Sequence, residues 1–106
     1  MADKRVKDTL SLLTDALCAD FGRRDAIIRE GLSERRVENE LRYLNYKILD
    51  AANEVVGERL AMQFIGEIGG AVGYARSSVS ELFSESTYKY YKSAVKKNIA
   101  RSLYLF

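Results

Sequence analysis

Apolar residues recur along most of this chain at helical spacing, in four successive stretches. From Asp3 to Phe21 they fall at Val6, Leu10, Leu13, Leu17 and Phe21, a 4-3-4-4 spacing that predicts an amphipathic helix. Gly22 is where this helix can be interrupted. The run after it, Arg23 to Glu30, is itself helix-compatible, and one glycine costs only about 1 kcal/mol in a helix. Gly31 is the expected stop, as a C-terminal glycine, with Ser33 as the N-cap of the next helix. A second stripe then runs Val37, Leu41, Leu44, Ile48, Ala51 or Ala52, and Val55, spaced by about 3.5 residues. The two helices are expected to pack as an antiparallel hairpin over residues 3–56.

Val56, Leu60, Phe64, Ile68 and Val72 continue the helical period. An unbroken helix from Ser33 to Val72 would be about 60 Å long, too long for a compact chain of this size, so either the helix turns near Gly57, the preferred reading, or a partner covers its length. Gly66, Gly69, Gly70 and Gly73 then crowd together. No strand precedes them and no Gly-Lys-Ser/Thr follows, so neither a P-loop nor a dinucleotide site is read here. The expected role is a close helix crossing through Gly66/Gly70 and Gly69/Gly73, or a helix end leading into a loop.

The fourth stretch begins with Ser77–Phe83, which reads as a short helix with Ser78 and Glu81 in capping-box positions. Ser84 then opens a longer helix to Phe106. Its Ser-Glu-Ser-Thr start offers N-cap hydroxyls and an acid in the first turn. Tyr88, Tyr91, Val95, Ile99, Leu103 and Phe106 form one stripe, with Tyr90, Lys97, Arg101 and Tyr104 opposite. Lys89, Lys92, Lys96, Lys97 and Arg101 lie between Ser84 and Phe106, and Glu85 is the sole acid there.

Composition sharpens the fold expectation. The chain has 106 residues, 47% of them hydrophobic and 30% charged, and no proline at all. The reading is a single all-α domain over residues 1–106, the hairpin followed by a short-helix/long-helix unit over 58–106. The net charge of +2 is unevenly spread: residues 1–57 hold ten Lys/Arg against eleven Asp/Glu, and residues 58–106 hold seven against four. A basic terminal helix suits nucleic acid, an acidic protein or an anionic membrane surface.

The candidate chemistry is sparse. There is no histidine, and Cys18 is the one cysteine, so imidazole bases, Cys-His pairs and thiolate zinc clusters are excluded by composition. Cys18 sits in an apolar helical pattern and reads as a small buried hydrophobe. Glu54 and Glu58 form an i,i+4 carboxylate pair, which reads as a solvated helix face. No enzyme activity, metal or cofactor is expected. MADKRVKD lacks the apolar core of a signal peptide, and no apolar run approaches the roughly 20 residues of a membrane span, so a cytoplasmic protein without membrane contact is expected.

The run Leu82-Phe83-Ser84-Glu85-Ser86-Thr87-Tyr88-Lys89-Tyr90-Tyr91-Lys92, with Ala94-Val95 and Ile99-Ala100 after it, resembles the recognition-helix region of phage transcription regulators of the ArpU/RinA type. These are themselves similar to the fourth region of bacterial sigma factors. The resemblance covers about the last quarter of the chain. It implies a helix-turn-helix that binds double-stranded DNA, with Ser86, Thr87, Lys89 and Tyr90 nearest the bases and Lys96, Lys97 and Arg101 on phosphates. It also implies a homodimer over two half-sites, for which the stripe from Val37 onward is the expected contact. The same residues admit a second reading, in which Tyr90, Arg101 and Tyr104 form a face for a host protein, as in small phage or mobile-element inhibitors of defence nucleases such as anti-CRISPRs. A third reading is an ordinary amphipathic helix, with Tyr88 and Tyr91 in the core and solubilising lysines.

Overall fold

In the computed structural model the chain is all-α. The structure describes residues 4–31 and 33–103, the side chains of 4–8 excepted, and no strand occurs among them. Among the described residues five α-helices follow one another: α1 Lys4–Ala19, α2 Phe21–Glu30, α3 Arg35–Val56, α4 Glu58–Gly69 and α5 Glu85–Ser102, with a short 3-10 turn at Tyr74–Arg76. The principal extents are 43 × 35 × 21 Å. The thinnest matches two helix layers of about 10 Å each.

The first interruption falls at Asp20 rather than Gly22. Asp20 takes φ −91° and ψ 1°, yet its N–H still bonds the Ala16 carbonyl and its own carbonyl accepts from Arg24 N–H, so the helix bends without losing its ladder. The bend lets α1 and α2 part company. α2 packs on α3, whereas α1 packs chiefly on α4 and α5, so the expected pairing of the first long helix with α3 is replaced by a shorter α2/α3 contact. The inward face of α1 is also turned by one residue from the expected stripe. Thr14 and Cys18 are buried, and Leu13 is 46% exposed. Thr14 resolves its buried hydroxyl by donating to the Leu10 carbonyl at 2.8 Å.

Gly31 ends α2 in the left-handed conformation at φ 64°, as its position suggested. The N-cap of α3 is Glu34 rather than Ser33, and it makes no side-chain cap bond. Leu44, Ile48, Ala51, Ala52 and Val55 face the core, but Val37 at the head of the stripe is 42% exposed. Gly57 makes the turn. Its φ of 85° and ψ of 162° lie in a region open to glycine and closed to L side chains, and its N–H and C=O cap both α3 and α4. Glu54 and Glu58 therefore stand on different helices, not at i,i+4 on one.

Of the four clustered glycines, Gly69 has the packing role. A Cβ there would lie 2.6 Å from the Ala19 backbone nitrogen, so α4 crosses α1 backbone to backbone at this point. A Cβ on Gly66 or Gly73 would meet nothing within 4 Å. Gly70 and Ala71 end α4, and Ala71 adopts φ 53° despite its side chain.

The core gathers Cys18 from α1, Ile48, Ala51 and Ala52 from α3, Ala61, Phe64, Ile65 and Ile68 from α4, Val79 from the connection, and Tyr88, Val95 and Ile99 from α5. Contacts thus cross Gly57 in both directions. Val6, Leu32, Tyr104 and Phe106 lie outside the described residues as far as their side chains are concerned.

Candidate functional site

α5 begins as the sequence suggests. Ser84 is its N-cap: its Oγ accepts from Thr87 N–H at 3.3 Å and donates to Thr87 Oγ1 at 2.9 Å, and Glu85 stands in the first turn. Tyr88, Val95, Ile99 and Ala100 are buried, and Tyr91 is half-buried. The opposite side is open. At 100° per residue, Ser86, Tyr90, Ser93, Lys97 and Arg101 make one outward stripe, all five are exposed, and Tyr90 reaches 69%.

The expected site residues divide between this stripe and its edges. Ser86 and Tyr90 stand on it, while Thr87 and Lys89, also exposed, stand on its flanks. Lys89 is in an exposed ion pair with Glu85 at 3.2 Å, a contact of small energetic weight. Lys97 and Arg101 have no ion-pair partner among the described residues. Lys96 is turned sideways instead. Its Nζ meets Asp15 Oδ1 at 2.8 Å and donates to Ser11 Oγ, which ties α5 to α1. Lys92, at the other edge, donates to the Val72 carbonyl at 2.6 Å and lies 5.8 Å from the Tyr88 ring centroid.

The segment before α5 is not the short helix expected over Ser77–Phe83. It is a series of tight turns, with Ser80 N–H bonded to Ser77 C=O and Leu82 N–H to Val79 C=O. The capping box is absent because Ser78 is engaged elsewhere. Its N–H and Oγ both donate to Glu67 Oε2, at 3.1 and 2.8 Å, and Tyr88 OH donates to Glu67 Oε1 at 2.7 Å. Tyr74 OH lies 2.9 Å from the Ser80 carbonyl oxygen and 2.6 Å from that of Phe83. Side chains from outside the segment thus compete with its own helical ladder and win.

Glu67 is the hub of this arrangement. Burial pushes its carboxyl up, but hydrogen bonds from Ser77, Tyr88 and Ser78 outweigh it and hold the group below the ordinary glutamate range. Burial, reinforced by the Glu67 contact, pushes Tyr88 up to about 12. The sequence signal was an acid three residues beyond Phe64 and next to Ile68, inside an apolar stripe. A second buried polar pair escaped the sequence in the same way: Arg24 Nε donates to Asn45 Oδ1 at 2.6 Å, and Asn45 Nδ2 donates to the Phe21 carbonyl at 3.1 Å. Desolvation lowers the Arg24 pKa. These groups hold the bend at Asp20 against α3 and are structural.

A shallow depression of about 560 Å³ lies between the Gly57 turn and the turns before α5, lined by residues that include Val56, Glu58, Arg59, Leu60, Val79 and Leu82. It shares no residue with the α5 stripe. No helix among the described residues is long and apolar enough to cross a membrane. Comparison of the chain with family models, curated proteins and solved structures gives no match.

Proposed function

We propose that this is a non-enzymatic DNA-binding protein that meets the duplex with the outward face of α5. One observation carries the reading: Lys97 and Arg101 stand exposed and, among the described residues, without ion-pair partners, in line with Ser86, Ser93 and Tyr90 and with no acid on the stripe. Cations in that state are available to replace counterions on phosphates, and the hydroxyl and phenol groups can donate to the same backbone. Lys96 is left out of the contact set because Asp15 already neutralises it. The role is that of a regulator of phage or mobile-element type, in keeping with the ArpU/RinA-like run from Leu82 to Ala100. The turns at 77–83 set this protein apart from a regular helix-turn-helix, so α5 is read as a helix laid along the backbone more than one driven end-on into a groove.

The exposed tyrosine favours a second reading, a host protein bound on the same face. Titration of a fluorescent mixed-sequence duplex separates the two. Binding at low salt that is weakened by Lys97→Ala/Arg101→Ala supports DNA, and no binding at low salt rejects it in favour of a protein.

A further inference from the structure

The outward side of α3 is a second open face, on the far side of that helix from its core stripe. Tyr43 and Tyr46 are each 62% exposed, and Leu49 is exposed beside them. At 100° per residue these three fall within about 60° either side of Tyr46, together with Asn39, Arg42, Asp50 and Asn53. Leu44, Ile48 and Ala51 point the other way, into the chain's own core. The stripe expected to mediate a dimer is therefore already occupied, and the open face is this other one.

The open face is self-complementary about Tyr46. In an antiparallel pair of α3 helices whose two-fold axis passes beside Tyr46, residues equally far from it in opposite directions share a layer. Arg42 then shares a layer with Asp50 of a second copy, Asn39 with Asn53, and Tyr46 with itself, while Tyr43 and Leu49 flank the seam on opposite sides. Cation opposes anion, and amide opposes amide. A parallel pair would set Arg42 against Arg42 and Asp50 against Asp50, which is repulsive. Asp50 has no ion-pair partner among the described residues, and Arg42, held at 2.8 Å by Glu38, has further guanidinium donors to offer.

We propose that α3 pairs with α3 of a second copy, antiparallel and centred on Tyr46, to give a two-fold dimer. The proposal does not rest on the reading of α5, whose outward stripe shares no residue with this face.

Sedimentation equilibrium of the full chain tests it. The expected result is a species of twice the 12.0 kDa chain mass. Tyr46→Asp, an exposed change that leaves the helical circular dichroism intact, raises the dissociation constant at least about tenfold by placing two carboxylates on the axis. Arg42→Asp also weakens association, and Arg42→Asp/Asp50→Arg restores it. A wild type that stays at the chain mass up to its solubility limit overturns the proposal and leaves the face to another partner. A dimer indifferent to Tyr46→Asp overturns it too, and a charge swap that fails to restore association overturns the antiparallel register.

Discussion

Glu67 shows how one acid can organise a segment that has too few apolar residues to organise itself. Its carboxylate accepts from the backbone and side chain of Ser78 and from Tyr88, so Glu67→Gln faces those donors with an amide that can accept at only one atom. Chemical denaturation should show a loss of about 1.5–3 kcal/mol, the range for hydrogen bonds to a charged group. Because the folded pKa is depressed, the contribution of Glu67 is present above the unfolded value of about 4.3 and is lost as pH falls through the folded one. Cys18 and Tyr88 work at the other end. Burial, aided by Asp15, raises Cys18 to about 12, and Tyr88 is raised to about 12 as well. Both favour the folded state while protonated, so stability should fall as pH rises past the unfolded thiol value of about 8.5, and again past about 10. In a pH series of melting temperatures, Cys18→Ala should flatten the first part of that fall and leave the second. These residues were the hardest to read in the sequence, because a buried acid and a surface acid look alike until a partner many positions away is known.

The helices themselves were legible wherever apolar period and punctuation agreed. Gly31 and Gly57 stop helices as expected, and Ser84 caps α5, because each supplies locally what the backbone needs there. Gly57→Ala should cost about 1–3 kcal/mol in denaturant unfolding, since φ 85° with ψ 162° is strained for any Cβ. Gly69→Ala should be destabilising for a different reason, by about 1–3 kcal/mol, because its Cβ meets the Ala19 backbone and not a side chain that could move aside. Misplaced features share a cause. The bend at Asp20, the inward turn of Thr14 in place of Leu13, and the turns over 77–83 are each set by contacts from other helices, which a local spacing cannot contain. Ser78 and Glu81 have the capping-box spacing, yet Glu67 on α4 captures Ser78.

At the scale of the whole molecule, the chain is a two-layered slab in which α5 is seated against α3, α4 and α1 and keeps one long face outward. The all-α class and the basic character of that face could be read from the absence of proline and the charge count, but the partners of individual lysines could not. Lys96 and Lys97 are neighbours in sequence and opposites in setting: one closes a bridge to α1, the other has no ion pair among the described residues. That contrast makes the central claim testable within a single helix, by the salt dependence of duplex binding for wild type, Lys96→Ala and Lys97→Ala/Arg101→Ala. Binding through the outward face predicts that the double variant lowers the slope of log affinity against log salt by about 1.8, two contacts at about 0.9 each, while Lys96→Ala loses stability and keeps the wild-type slope. A wild type without affinity for duplex at low salt, or a slope that falls with Lys96→Ala and not with the double variant, would contradict it.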